Sequence, residues 1–228
     1  MTSYHAMSGD PTSLTFDAYR RLRVEVLSGR LPPGRKLKIQ ELADEMSVSP
    51  GVVREALSRL SSESLVVAIP QRGFRVAPIT AEDVHDLTEA RVDIETACLK
   101  RSLAAGKVAW EADIVAALHL LNRTPHNTVD LSGPWTDAHA QFHEALVSAC
   151  DSKWLLRVRE QLFIQGERYR WINIRMSDAD RGLREEHSEL AEAAISRNIG
   201  LTCELMERHL RLTEELTLRS LASELVPG

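Results

Sequence analysis

Residues 30 to 78 decide the fold of the first part of the chain, and they read RLPPGRKLKIQELADEMSVSPGVVREALSRLSSESLVVAIPQRGFRVAP. Within this stretch, apolar residues at helical spacing predict a helix over Gln40–Met46. Ser49 is a good N-cap, and Pro50 suits the first position of a helix because its missing N–H needs no partner there. A second helix is therefore predicted from Pro50 to Ser62.

A hairpin follows the two helices. The strands are predicted over Leu65–Ile69 and Phe74–Ala77, and the turn between them ends in Gly73. A further helix, Leu14–Ser28, is predicted ahead of the stretch, after a loose polar arm over residues 1–13. Two helices, a tight turn and a hairpin in this order predict a winged helix-turn-helix, which places its second helix in the major groove of DNA.

Every strong pattern after residue 80 is helical. The segment Thr80–Asp83 fits a helix start with a capping residue and early acidic residues. Helices are predicted near 81–105, 108–122, 134–150, 153–176, 180–197 and 199–222. The fold class is therefore mainly α: a winged helix-turn-helix domain over 1–79, then an all-α bundle of about six helices over 80–228.

Composition agrees with a soluble protein of two modules. The 228 residues are 43% hydrophobic, and the net charge is −5. Residues 1–79 hold 11 Lys/Arg against 8 Asp/Glu, whereas residues 80–228 hold 17 against 25. A basic head on an acidic body is typical of a DNA-binding module fused to a second function. No signal peptide or membrane-spanning run is found, and three dispersed cysteines predict no disulfide framework, so we expect a cytoplasmic protein.

Outward-facing residues of the first module are the candidates for DNA contact. Arg54 lies near the start of the second helix, where a guanidinium can bind guanine O6 and N7 or a phosphate. Arg35, Lys36 and Lys38 are expected at the start of the supporting helix, beside the DNA backbone. The predicted contacts are Arg35, Lys36, Lys38, Gln40, Ser49, Gly51, Val52, Arg54, Arg72 and Gly73. The alternative for each charged residue is a solvated surface side chain.

Four histidines are spaced so that they can meet inside a bundle. His139 and His143 are four residues apart and share one helix face. His187 and His209 each lie 11 residues from Asn198, so an antiparallel hairpin that turns there brings both to one level. Neutral imidazoles suit Zn²⁺, Ni²⁺ or Cu²⁺ better than Mg²⁺ or Ca²⁺. The alternative is four separate structural histidines.

The first module resembles the GntR family of bacterial transcription regulators. The motifs that carry the resemblance are Leu31–Gly34, Glu41–Ala43, Val53–Leu60 and Arg72–Val76. The resemblance implies a homodimer whose two heads bind a short palindromic operator in double-stranded DNA. The chain departs from the family at Pro50, where a base-reading arginine is common, and at Gln40, where a basic residue is frequent. We therefore expect an altered half-site that is read mainly by Arg54 and the wing.

The second module resembles the ligand-binding domain of the FadR subfamily, often called FCD. His139–His143, Glu186–His187 and Arg208–Leu210 carry this resemblance. It implies that a divalent metal is bound by His139, His143, His187 and His209. His139 stands where the family usually has aspartate, a change that favours zinc, or nickel, over manganese. Loss of one negative charge also favours binding of a carboxylate.

The same resemblance implies an effector pocket. Arg91 matches the first bundle helix of the family and is expected to hold the carboxylate of a small organic acid. The alternative is a surface pair between Arg91 and Glu95. Arg168, Tyr169 and Arg170 are expected to line the same cavity. The chain is thus predicted to be a regulator whose operator affinity depends on a carboxylate bound beside a metal.

Two other functions fit parts of the pattern. The first is a metal-stapled DNA-binding protein, in which the metal only stabilises the fold and no effector binds. Such a protein would bind its operator equally with or without organic acids. A metallohydrolase would need the general base of a His-Glu-x-x-His helix, and here Ala140 occupies the glutamate position. We therefore expect no enzyme.

Overall fold

The computed structural model describes residues 11–125, 133–176 and 182–224. The chain divides into two compact units, Met1–Ile79 and Thr80–Gly228. Among the described residues, no helix is both long enough and apolar enough to cross a membrane.

Unit 1 is a winged helix-turn-helix. Its elements are α1 (Pro11–Leu27), β1 (Lys36–Leu37), α2 (Ile39–Met46), α3 (Pro50–Ser62), β2 (Val66–Ile69) and β3 (Gly73–Val76). The three strands form an antiparallel sheet in the order β1-β3-β2, and β2 pairs with β3 from Val66 opposite Val76 to Ile69 opposite Gly73. The predicted fold of this part is confirmed.

Helix α3 forms where its local sequence predicts it. The Ser49 hydroxyl accepts a hydrogen bond from the Val52 N–H, and Pro50 is the first helical residue. The inner face of the helix is fully buried and consists of Val53, Ala56, Leu57 and Leu60. The turn before α3 contains Ser47 with a φ of 54°, which directs the chain from α2 into α3.

Two features of unit 1 differ from the predictions by more than one residue. Arg35 and Lys36 do not begin the supporting helix. Lys36 lies in β1 opposite Arg75, and the Arg35 carbonyl accepts a hydrogen bond from the Val76 N–H. A strand of two residues has no periodicity of its own, so only its pairing with β3 reveals it. Helix α1 begins at Pro11 rather than Leu14, so residues 11–13 are helical, while residues 1–10 of the predicted arm lie outside the described residues.

Unit 2 is helical throughout its described part. Its elements are α4 (Ala81–Ala105), α5 (Val108–Arg123), α6 (Pro134–Val147), α7 (Lys153–Met176), α8 (Leu183–Ile195) and α9 (Ile199–Glu224). The Thr80 hydroxyl caps α4 by accepting from the Asp83 N–H. Helix α6 ends three residues before the predicted end. Helix α8 begins at Leu183, and the predicted start at 180 lies outside the described residues.

The core of unit 2 lies where these helices face one another. Its largest fully buried apolar side chains are Leu99, Ile114, Phe142, Leu146, Leu190 and Met206. Phe142 belongs to this core and is also in contact with His143 and His187, with ring centroids 5.5 and 5.2 Å away. The apolar core therefore extends as far as the rings of His143 and His187.

Candidate metal centre and nucleic-acid interface

Three helices bring the four predicted histidines together. Helix α6 supplies His139 and His143, α8 supplies His187, and α9 supplies His209. One ring nitrogen from each lies within 4.8 Å of the others, and all four side chains are buried. We refer to these four residues as the histidine cluster.

The α8–α9 hairpin explains why His187 and His209 meet. Arg197 adopts a φ of 58° in the turn, and the Asn198 side chain caps α9 by accepting from the Leu201 N–H at 3.1 Å. The equal spacing of the two histidines from this turn then places their rings 5.2 Å apart. The register predicted from the sequence is the one observed.

The cluster has the protonation state that a metal requires. Burial holds the pKa of His139 and His143 well below the usual range, and nearby Arg170 and His209, respectively, lower these pKa values further. The imidazoles of His139 and His143 are therefore neutral near pH 7. Neither ring nitrogen of His143 has a hydrogen-bond partner among the described residues, although both are buried. A buried polar nitrogen without a hydrogen-bond partner lowers the stability of the fold, and coordination of a metal ion would give one of these nitrogens a partner.

His209 is oriented as a metal ligand usually is. Its Nδ1 lies 2.8 Å from Oε2 of Glu186, and a carboxylate can only accept. Nδ1 therefore carries the proton, and Nε2 keeps a lone pair for a metal. The sequence placed Glu186 next to His187 but did not indicate this contact with α9.

His139 has a different neighbour. Its Nδ1 lies 2.8 Å from Nη1 of Arg170, whose other nitrogen donates to the Thr136 hydroxyl at 3.2 Å. Arg170 also pairs with Glu167 and lies over the Trp135 ring, which stacks on His139 with centroids 5.0 Å apart. Arg170 was predicted to line the effector cavity with Arg168 and Tyr169, but its contact with His139 on α6 was not predicted because it depends on helix packing.

A buried charge network lies beside the cluster. Arg159 donates to Oε2 of Glu95 at 2.8 Å and to the carbonyl of His143 at 3.0 Å. Arg91 lies 3.8 Å from the other oxygen of Glu95, and its guanidinium lies over the Phe163 ring. The Phe163 ring also approaches His143, with centroids 5.9 Å apart. The pair of Arg91 and Glu95 therefore exists, but it is buried rather than on the surface.

Gly166 makes room for Arg91. A Cβ at position 166 would lie 2.3 Å from Nη1 of Arg91 and 2.9 Å from its Cζ. The Nε atom of Arg91 has no hydrogen-bond partner among the described residues. Arg91 is thus a buried cation with unused donor capacity, close to the histidine cluster.

Arg168 and Tyr169 make their described contacts elsewhere. The Tyr169 hydroxyl donates to Oδ2 of Asp83 at 2.7 Å, in the first turn of α4, and Arg168 donates to Gln165 at 3.0 Å. Burial raises the pKa of Tyr169, and its hydrogen bond to Asp83 adds to this rise. Arg170, the next residue, contacts His139 of the cluster.

The predicted DNA contacts lie mostly on the surface of unit 1. Gly51 and Arg54 are exposed on α3, whereas the Ser49 hydroxyl is engaged as the helix cap. Gln40 donates to Asp44 at 2.9 Å, and Lys38 pairs with Glu41. The remaining predicted contacts are the exposed residues Arg35, Lys36 and Arg72 and the half-buried Val52 and Gly73. Gly73 has a φ of 89°, which favours glycine at the tip of the wing.

Together these features define a winged helix-turn-helix regulator with a second, helical domain that contains a buried histidine cluster. Residues 14–76 match the bacterial regulatory proteins of the gntR family, and residues 86–212 match the FCD domain. The chain belongs to the GntR family and carries an FCD domain. This family and its relatives are transcription regulators, not enzymes, so the hydrolase alternative is set aside.

The alignments to related proteins cover most of the chain. It is 38% identical over 202 residues to the uncharacterized HTH-type transcriptional regulator BphR of Paraburkholderia xenovorans, covering 87% of this chain and 82% of that protein. It is 33% identical to the HTH-type transcriptional repressor GlaR of Escherichia coli, covering 87% and 93%. A solved GntR regulator from Rhodococcus sp. RHA1 superimposes with a TM-score of 0.71 at 25% identity, covering 90% and 98%.

Proposed function

We propose that this regulator binds its operator with an affinity controlled by a small carboxylate, held beside a divalent metal in unit 2. The observation that supports this most is the convergence of four buried histidine nitrogens within 4.8 Å, with no hydrogen-bond partner for either nitrogen of His143 in the part of the chain that the structure describes. Neutral imidazoles favour zinc, with nickel as the second candidate. When bound, the metal would supply a Lewis-acidic centre that attracts an anionic oxygen.

The charges around the cluster favour an anionic ligand. Three arginines and three glutamates lie close to the cluster: Arg91, Arg159, Arg170, Glu95, Glu167 and Glu186. These side chains balance one another, and His139 and His143 are neutral, so a divalent cation would add two positive charges to a buried site. An organic acid would offset that charge, since an uncompensated buried charge is strongly unfavourable.

Arg91 is the proposed partner of the carboxylate. Its Nε donor has no hydrogen-bond partner within the described ranges, and the same residue already lies 3.8 Å from a carboxylate oxygen of Glu95. A second carboxylate could be bound through two parallel N–H donors, the arrangement that arginine provides best.

We infer that unit 1 acts as one of two heads of a homodimer on a short palindromic operator. Exposed Arg54 on α3 and Arg72 in the wing would contact the DNA. Because the relative GlaR is named a repressor, repression is the expected mode. The effector would change operator affinity only to the extent that it binds one conformation of the regulator more tightly than another.

The metal is tested by analysis of chelator-stripped protein reloaded with Zn²⁺ or Ni²⁺. Up to one ion per chain is expected, and a His143→Ala/His187→Ala double variant should bind none. Protein that cannot be loaded with either ion would refute the metal centre.

The effector is tested by a thermal-shift screen of small carboxylates, with and without chelator. Arg91→Ala should lose the shift, whereas the matched Arg101→Ala variant should keep it, because Arg101 lies on the same helix in an exposed pair with Asp151. Metal binding without any carboxylate response would instead favour the metal-stapled protein without an effector.

DNA binding is tested on sequences selected from a random library by the wild-type protein. Arg54→Ala should abolish specific binding and leave the circular dichroism spectrum unchanged. Retained specific binding would show that α3 does not read the operator through this residue.

A further inference from the structure

His139 and His209 differ in the group that faces Nδ1. In His209 the neighbour is the Glu186 carboxylate at 2.8 Å, so Nδ1 donates and Nε2 keeps its lone pair. In His139 the neighbour is the Arg170 guanidinium at 2.8 Å, and a guanidinium has no acceptor. Nδ1 of His139 must therefore accept.

The accepting role of Nδ1 sets the tautomer of His139. A neutral imidazole that accepts at Nδ1 carries its proton at Nε2. One lone pair is then occupied by Arg170, and the other nitrogen is protonated. The carboxylate that could reverse this arrangement, Oε1 of Glu167, lies 3.8 Å from Nδ1, beyond hydrogen-bond distance.

Arg170 is anchored independently of His139. Its Nη2 donates to the Thr136 hydroxyl at 3.2 Å, its guanidinium lies 5.1 Å from the Trp135 ring centroid, and it forms an ion pair with Glu167. Three anchors on two helices hold the guanidinium against the imidazole. The contact with His139 is therefore part of the packing between α6 and α7.

We propose that, within the metal centre put forward above, only His143, His187 and His209 bind the metal, while His139 is kept as an N–H donor by Arg170. This inference rests on the proposed function. A ring nitrogen of His139 lies within 4.8 Å of those of the other three histidines. We assign Nε2 to this position, where its N–H would donate to an anionic oxygen of the effector. Three protein ligands leave positions open for that oxygen, whereas four ligands would close a tetrahedral site.

Matched glutamine variants on one helix test the proposal. Zn²⁺ affinity of full-length protein is measured by competition with a chelating dye. His143→Gln should weaken it by more than about 100-fold, beyond the range of an outer-shell partner, and His139→Gln by no more than about 10-fold. Equal losses in the two variants would overturn the proposal.

Arg170→Met tests the positioning role of Arg170. Without the guanidinium, Nδ1–H of His139 can turn towards Glu167 and Nε2 can bind the metal, so Zn²⁺ affinity should rise by about 10-fold. The rise should vanish in the Arg170→Met/His139→Gln double variant. Long-range ¹H–¹⁵N spectra should show His139 protonated at Nε2 in metal-loaded wild type and at Nδ1 in Arg170→Met.

The outcomes separate this inference from the proposed function. Wild-type protein that binds neither Zn²⁺ nor Ni²⁺ overturns both. Wild-type protein that binds Zn²⁺ while His139 is protonated at Nδ1 overturns only the inference, because His139 is then a fourth ligand. Unchanged affinity in Arg170→Met would also show that Arg170 does not control His139.

Discussion

Replacing Gly166 by alanine tests the fit between α7 and Arg91. The new methyl group would lie 2.3 Å from Nη1 of Arg91 and 2.9 Å from its Cζ, well inside van der Waals contact. The guanidinium must then leave its place over the Phe163 ring and beside Glu95. Gly166→Ala is therefore expected to displace a buried cation rather than fill empty space.

Two opposing effects decide the stability change. Alanine is better than glycine in a helix interior by about 0.8–1 kcal/mol. Overpacking a buried site costs about 1–3 kcal/mol. The Arg91→Ala background removes the crowding and leaves the helix preference, so Gly166→Ala should stabilise that variant by about 1 kcal/mol. The double-mutant cycle should thus give a coupling of about 1–3 kcal/mol between the two positions.

Tryptophan fluorescence during urea unfolding measures this cycle, since all four tryptophans lie in unit 2. Gly200→Ala on α9 is the control, because the nearest atom to its added Cβ is 3.8 Å away. This control should change stability equally with and without Arg91. If Gly166→Ala stabilised both backgrounds by the same amount, Arg91 would not lie against Gly166 and the packing argument would be refuted.

Three further predictions concern buried and paired groups. Arg159→Met should lower the free energy of unfolding by about 3 kcal/mol, because it leaves the buried Glu95 carboxylate without its 2.8 Å partner; urea titration checks this, and a loss below about 0.5 kcal/mol would contradict it. Burial raises the pKa of Cys98 to about 12, so its thiol should resist N-ethylmaleimide in native protein and react after unfolding, as mass spectrometry of peptides would show. The hydrogen bond to Glu214 raises the pKa of His85, so this pair should stabilise the protein below about pH 6.5 and lose that effect as the pH rises through the folded-state pKa. Urea unfolding of wild type and His85→Gln at about pH 5.5 and pH 8.5 should therefore differ only at the lower pH.

Features encoded locally could be predicted from the sequence. The cap at Ser49 and the proline after it define the start of α3 within a few neighbouring residues. Helical periodicity placed His139 above His143, and equal distances from Asn198 placed His187 opposite His209. These predictions need only the geometry of one helix or one hairpin.

Features that depend on packing between distant helices could not be predicted. Arg159 lies 64 residues from Glu95, and nothing in the spacing of the two indicates that they meet in the core. The same holds for Arg170, which lies 31 residues from His139. Arg168, Tyr169 and Arg170 were all predicted to line the effector cavity, but a helix turns about 100° per residue, so the three side chains face different neighbours.

One turn of α7 therefore contacts two other helices, α6 and α4. Arg170 holds His139 of α6, and Tyr169 holds Asp83, two residues after α4 begins. Because backbone hydrogen bonds make one helical turn nearly rigid, a rotation of α7 that releases one side chain also moves the other. Arg170, which contacts the histidine cluster, and Tyr169, which contacts the start of α4, therefore move together. A ligand that displaces Arg170 must also disturb the hydrogen bond between Tyr169 and Asp83.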